Sequence, residues 1–165
     1  MAFKGSFSIT QWDEDTLSER SEGIKVSHAS IKQVYSGEMS GESNVEFLMS
    51  YQSQMSVKFT GFETFVGVVN GMRGTVTFQH AGKFENGVAS SEFISIEGSA
   101  TGELTGKKLR GNFKSGESGK ADYAIEIDNA WVTGKRQRKA IFLSPKKTAP
   151  KGAAKSWETN QETNY

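Results

Sequence analysis

Two Asn-Gly pairs, Asn70-Gly71 and Asn86-Gly87, bracket a run in which apolar and polar residues alternate, "MRGTVTFQHAGKFE". A two-residue reversal of type I′ needs positive φ at both central positions, and Asn-Gly supplies that at the least steric cost. The chain therefore reverses twice, and the segment between is one long strand antiparallel to both neighbours. The first turn pairs residues whose numbers sum to 141, so Gly67 faces Gly74, Gly61 faces His80 and Phe59 faces Gly82. The second pairs residues whose numbers sum to 173. Side chains alternate across a strand, so the two registers define a common face. Val57, Phe59, Gly61, Glu63 and Phe65 share it with Val76, Phe78, His80, Gly82 and Phe84, and with Ala89, Ser91, Phe93 and Ser95. The opposite face, with Lys58, Thr60, Thr64, Arg73, Thr75, Thr77 and Gln79, is wet, interrupted by Phe62, Val66 and Ile94.

Other segments alternate in the same way. "FKGSFSI" puts Phe3, Phe7 and Ile9 on one face, "VEFLMSY" does so with Val45, Phe47, Met49 and Tyr51, and "YAIEI" with Tyr123, Ile125 and Ile127. Adding "IKVSHASIKQVY", "VASSEFISI" and "GELTGKKLRGNF" gives about eight strands. The acidic "DEDTLSERSEG" reads as a loop. Eight sequential antiparallel strands hide their edges most completely by closing on themselves. Strand glycines fit closure, because they mark bends or places where a ring covers the gap; Gly61 and Gly82 are read as facing rings. The expectation is an all-β chain: a single eight-stranded antiparallel β-barrel, residues 1–128, followed by a basic, partly disordered tail, residues 129–165.

On this reading the phenylalanine face is the interior, and His80 and Glu63 lie on it. They are diagonal neighbours on adjacent strands, about 7–8 Å apart at Cα, within reach of each other. Such a pair is a candidate general acid and base, or a polar contact for a ligand in an apolar cup. The plainer alternative is a mutually satisfied buried pair that fixes strand register. A barrel of eight strands is filled by its side chains or encloses one small ligand. Phe59, Phe65, Phe78, Phe84 and Phe93 favour filling, while Gly61, Gly82, Ala89, Ser91 and Ser95 favour a cavity. Both outcomes stay open.

The ordered pieces "FSITQWDE", "YSGEMSGE", "VEFLMSY", "FQHAGKFENG" and "GSATGEL" resemble a bacterial family of small proteins known as a domain of unknown function. The resemblance covers roughly residues 3–128. It implies a barrel similar in shape to that of plant allene oxide cyclase, and it brings no reaction and no catalytic residues with it. His80, Glu63, Trp12 and Glu103 fall at its motif positions. Lys107-Lys108 look inserted, which bears on the hairpin drawn there.

"GSATGELTG" lacks the helix that a phosphate-binding loop needs behind it and is read as a strand connection. If Ile24 and Val26 face inward then so does His28, bringing it nearer His80. Two histidines without carboxylate spacing still make a poor metal site, so no metal and no cofactor are expected. The chain has no cysteine and no apolar run long enough to span a bilayer, and its start lacks a secretory signal. A soluble, cytoplasmic protein is expected. Of its charges, 12 Lys and Arg stand against 17 Asp and Glu up to residue 130, and 8 against 2 beyond it. The tail, between residues 134 and 155, is thus a candidate contact for nucleic acid or another acidic partner, with Trp131 and Trp157 available to stack.

Three functional expectations follow. The first is a binding module for a small hydrophobic molecule, with Phe59, Phe65, Phe78 and Phe93 as walls and Glu63 and His80 as polar contacts. The second is an isomerase or cyclase using Glu63 and His80 as acid and base. The third is a homo-oligomeric interaction protein with a solid barrel, associating through Phe62, Val66 and Ile94, and a polyanion-binding tail.

Overall fold

A computed structural model of the chain describes residues 2–116 and 119–129. The eight strands are β1 (Ala2–Glu19), β2 (Lys25–Gly37), β3 (Met39–Ser53), β4 (Ser56–Val69), β5 (Met72–Glu85), β6 (Val88–Ser95), β7 (Lys108–Ser115) and β8 (Lys120–Asp128). They pair antiparallel in chain order, and β1 pairs with β8 to close the barrel. The tail, with its basic residues 134–155, lies outside the described residues.

Both Asn-Gly turns form as their chemistry demands, with φ of 47° and 79° at Asn70 and Gly71 and of 53° and 80° at Asn86 and Gly87. They set the expected registers, Gly61 opposite His80, Phe59 opposite Gly82 and His80 opposite Phe93. Phe59, Phe65, Phe78, Phe93, Glu63 and His80 are all buried, while Phe62 and Val66 stand outside at 49% and 54% exposure. A side chain at Gly82 is excluded: a Cβ there meets the Phe59 ring at 2.4 Å and the Ser90 carbonyl at 2.5 Å. The ring lies over the glycine and makes good its missing contacts. Gly61 differs from expectation. Its φ is +155°, and its would-be Cβ meets the Glu46 carbonyl of β3 at 2.0 Å, so backbone approach rather than the His80 ring requires glycine there.

Three expectations change. The acidic stretch from Asp13 is not a loop: β1 runs on to Glu19, paired with β2 through register shifts between Ile9 and Gln11 and between Thr16 and Ser18. Those bulges carry the inward phase past an interruption that breaks the alternation in the sequence. His28 faces outward and lies 3.6 Å from Glu46, because Ala29, Ile31 and Tyr35 hold the inner phase of β2 against Phe47 and Val45. It does not approach His80. The segment from Gly102 is not strand until Lys108; Gly102–Leu104 forms a 3-10 turn.

That turn has a structural task. β6 stops at Ser95, opposite Phe78, and leaves the rest of β5 without a partner strand. Residues of the β6–β7 connection supply the missing hydrogen bonds. The Ile96 and Thr101 N–H groups donate to Thr77 and Thr75 carbonyls, both at 2.9 Å, and the Arg73 N–H donates to Glu103 Oε1 at 3.2 Å. Leu104, fully buried, then plugs this end of the barrel beside Gly74. An exposed sheet edge is thereby covered.

Candidate functional site

The barrel interior divides into two halves. Toward the Leu104 end it is solid: Met39, Phe65, Val69, Val76, Phe78, Leu109 and Ile125 are each at most 1% exposed. A polar chain crosses this packing. Tyr35 of β2 donates a hydrogen bond to Glu63 Oε2 of β4. Glu63 Oε1 lies 2.7 Å from His80 Nε2, and His80 Nδ1 lies 2.9 Å from Ser91 Oγ of β6. Both the Glu63 and His80 side chains are 1% exposed. Burial, reinforced by the Glu63 carboxylate, pushes the Tyr35 hydroxyl well above the ordinary tyrosine range, so it remains a donor. Among the described residues no fully buried side-chain polar atom lacks a partner.

The other half is open. The β1–β8 ladder ends at Ser8 opposite Lys120, and the Ile9 N–H still donates to the Gly119 carbonyl at 3.2 Å. Beyond it β1 pairs, among the described residues, with β2 alone, so the wall parts there. Behind that gap lies a cup of about 250 Å³, lined chiefly by Phe7, Ile31, Phe47, Met49, Phe59 and Phe113. Phe47 packs against Phe59 at 4.7 Å between ring centroids, and Phe113 against Phe7 at 5.2 Å. Gln33 is set into the same wall, and Trp12 and Tyr51 stand at the mouth. Trp12 is 44% exposed although the β1 bulge has returned it to the inner phase opposite Ile31.

The two mouth aromatics are clasped by Glu14. Its carboxylate accepts from the Trp12 indole at 3.0 Å, from Ser27 Oγ at 2.5 Å and from the Tyr51 hydroxyl at 2.5 Å. Partial burial pushes the Glu14 carboxyl up, but the three donors and the nearby Lys25 charge outweigh it and hold the group below its usual range. Tyr51, partly buried and bonded to that carboxylate, is pushed up to about 12. Lys25 sits over the Tyr51 ring at 4.6 Å.

Of the six residues expected to contact a ligand, Phe59 lines the cup. Glu63, Phe65, Phe78, His80 and Phe93 lie in the packed half. The expected meeting of Glu63 with His80 does occur, and His80 stands one ring behind the floor, 5.3 Å from Phe47 and 5.9 Å from Phe113 between centroids. Sequence reasoning did not reach Tyr35 as the second partner of Glu63, nor Gln33. Both were accessible in principle, since they alternate in phase with Ala29 and Ile31 in "SHASIKQVY". A wider groove of about 840 Å³ crosses the outer face of the sheet from Thr60 to Ala2; the buried His80 and Phe93 border it from beneath, but it is shallow strand surface bearing Arg110, Glu92 and Glu126. Of the two, the cup is the more enclosed and the more apolar.

The family model described as "Protein of unknown function (DUF3224)" matches residues 3–127. A crystal structure of a protein with unknown function from the DUF3224 family of Shewanella oneidensis MR-1 is similar at a TM-score of 0.65. The two are 20% identical, over 80% of this chain and 98% of that one, a likeness that speaks for the fold. No curated protein matches the chain.

Proposed function

The chain belongs to the DUF3224 family, and from that premise, which carries no activity, we propose that the barrel binds a small, largely apolar molecule in the cup. One observation carries the reading: an aromatic cavity of about 250 Å³ stands open at one end of an otherwise solid barrel. That volume is just under the usual range for ligand pockets, which suits a compact guest. Transfer of apolar surface from water into such a cup is favourable at about 25 cal/mol per Å² buried. The clasped Trp12 and Tyr51 add a rigid, preorganised mouth, which lowers the entropy lost on binding.

Binding fits the geometry better than acid–base chemistry by Glu63 and His80. Each already has its hydrogen-bond partners, and the Phe47 and Phe113 rings stand between His80 and the cup. The test is a fluorescence titration with 2-ethylnaphthalene. Saturable one-site binding is expected, and Ala121→Leu, which extends a buried side chain into the cup, is expected to abolish it. Absence of saturable binding to the natural chain counts against the proposal.

A further inference from the structure

Among the described residues that line the cup, Gln33 is the buried amide whose hydrogen bonding is incomplete. It is 5% exposed, on the inner phase of β2 between Ile31 and Tyr35, and it faces the cup. Its Oε1 accepts from Ser43 Oγ at 3.4 Å, which ties the amide to the interior polar groups. Its Nε2 donates to no group among the described residues. Nor is that nitrogen sealed in, since every fully sealed polar side-chain atom there is paired. It therefore opens into the cup. A largely buried amide N–H facing phenylalanine and isoleucine is costly unless something accepts from it. Tyr35, Glu63, His80 and Ser91 next door all have their partners, so loose packing of polar groups is not the habit of this interior.

We propose that Gln33 is the polar anchor of the cup, and that the natural ligand is an apolar molecule bearing a neutral hydrogen-bond acceptor, a ketone, aldehyde or ester carbonyl oxygen, placed to receive the Gln33 N–H. A carboxylate is disfavoured by the lining. Among the described residues its single cation is Lys120, which alternates with the inward Ala121 and so belongs to the outer phase of β8. Among the described residues an anion beside Gln33 meets no inward countercharge in an aromatic cup, and it loses its hydration. A hydrocarbon fits the walls but leaves the amide unpaired. A neutral carbonyl satisfies both.

This rests on the binding reading, and the experiment separates the two. The probes are 2-acetylnaphthalene and 2-ethylnaphthalene, which differ in shape by little more than a carbonyl in place of a methylene. With the full chain the ketone is expected to bind about tenfold more tightly, the worth of one good hydrogen bond. In Gln33→Leu the hydrocarbon is expected to bind at least as well as before and the ketone preference to vanish. Gln33→Met, unbranched and close in length, provides the same reading if the leucine variant fails to fold. Equal affinities for the two probes in the natural chain overturn the role of Gln33 while leaving the cup reading intact. A ketone preference that survives both substitutions overturns it as well. Failure of both probes to bind overturns the two readings together.

Discussion

The two halves of the barrel are cut from the same alternating pattern and come out differently because of what happens at the ends of their strands. At the Leu104 end β6 is short, but the β6–β7 connection folds back, completes the hydrogen bonding of β5 and drops a leucine into the centre. Side chains from opposite walls meet there, and the space is full. At the other end β1 parts from β8 past Ile9, whose N–H still reaches the Gly119 carbonyl, no described residue takes up the lost pairing beyond it, and the rings of Phe7, Phe47, Phe59 and Phe113 line a gap rather than fill it. Interior aromatics serve as core in one half and as wall in the other. Burial alone does not distinguish them: Phe59 is 6% exposed and Phe93 3%, yet only Phe59 borders the cup.

Substitutions that disturb the solid half have the largest expected effects. Glu63→Ala leaves His80 and Tyr35 buried without their shared acceptor, at a cost of about 3–5 kcal/mol. Phe78→Ala opens a void among fully buried neighbours and costs about 3–5 kcal/mol. Phe59→Ala, at the boundary, enlarges space that already exists, so its cost is expected nearer the bare transfer value of about 1.5–3 kcal/mol. Urea denaturation of the three variants reads the contrast directly. Equal losses for Phe78→Ala and Phe59→Ala erase the distinction between the halves. Ala121→Leu sharpens it from the other side: stability is expected to change by less than about 1.5 kcal/mol, because the added methyl groups enter open space.

The smallest effect belongs to the mouth. Glu14 is held below its usual range, so its clasp stabilises the fold above the ordinary carboxylate pKa of 4.5 and weakens as pH falls through the lowered folded value. Tyr51 is raised from 10.0 to about 12, so its share is intact below 10.0 and is lost as pH climbs toward about 12. Solvent screening limits the whole to roughly 1 kcal/mol at most. Trp12 emission, followed in a chain carrying Trp131→Phe and Trp157→Phe, is expected to stay constant through neutrality and to change at both limits. The Glu14→Gln variant should lose the acid transition. Persistence of that transition in Glu14→Gln contradicts the clasp.

How much of this was legible in the sequence follows from which interactions are local. The register of β4, β5 and β6 was readable because Asn-Gly turns leave a single low-cost backbone path, and with it came the burial of Glu63 and His80 and the exposure of Phe62 and Val66. The phase of β2 was not, since apolar residues stand on both alternations, Ile24 and Val26 on one, Ala29 and Ile31 on the other. Only pairing with Val45 and Phe47 decides between them. The extension of β1 through acidic residues was hidden by its bulges. The place of the cup was hidden because it depends on where β1 parts from β8, a pairing between the two ends of the barrel with no local signature. Gln33 shares the phase of Ala29 and Ile31, but nothing local singles it out, because its meaning depends on that opening.

Methionine labelling puts the contrast between halves in one spectrum. Met39 lies in the solid half and Met49 lines the cup. With the methionine methyl groups carbon-13 labelled, titration with 2-ethylnaphthalene is expected to shift the Met49 resonance saturably and leave Met39 where it is. A Met49 resonance that stays fixed at saturating probe, or a Met39 resonance that moves equally, contradicts a barrel solid at one end and open to a guest at the other.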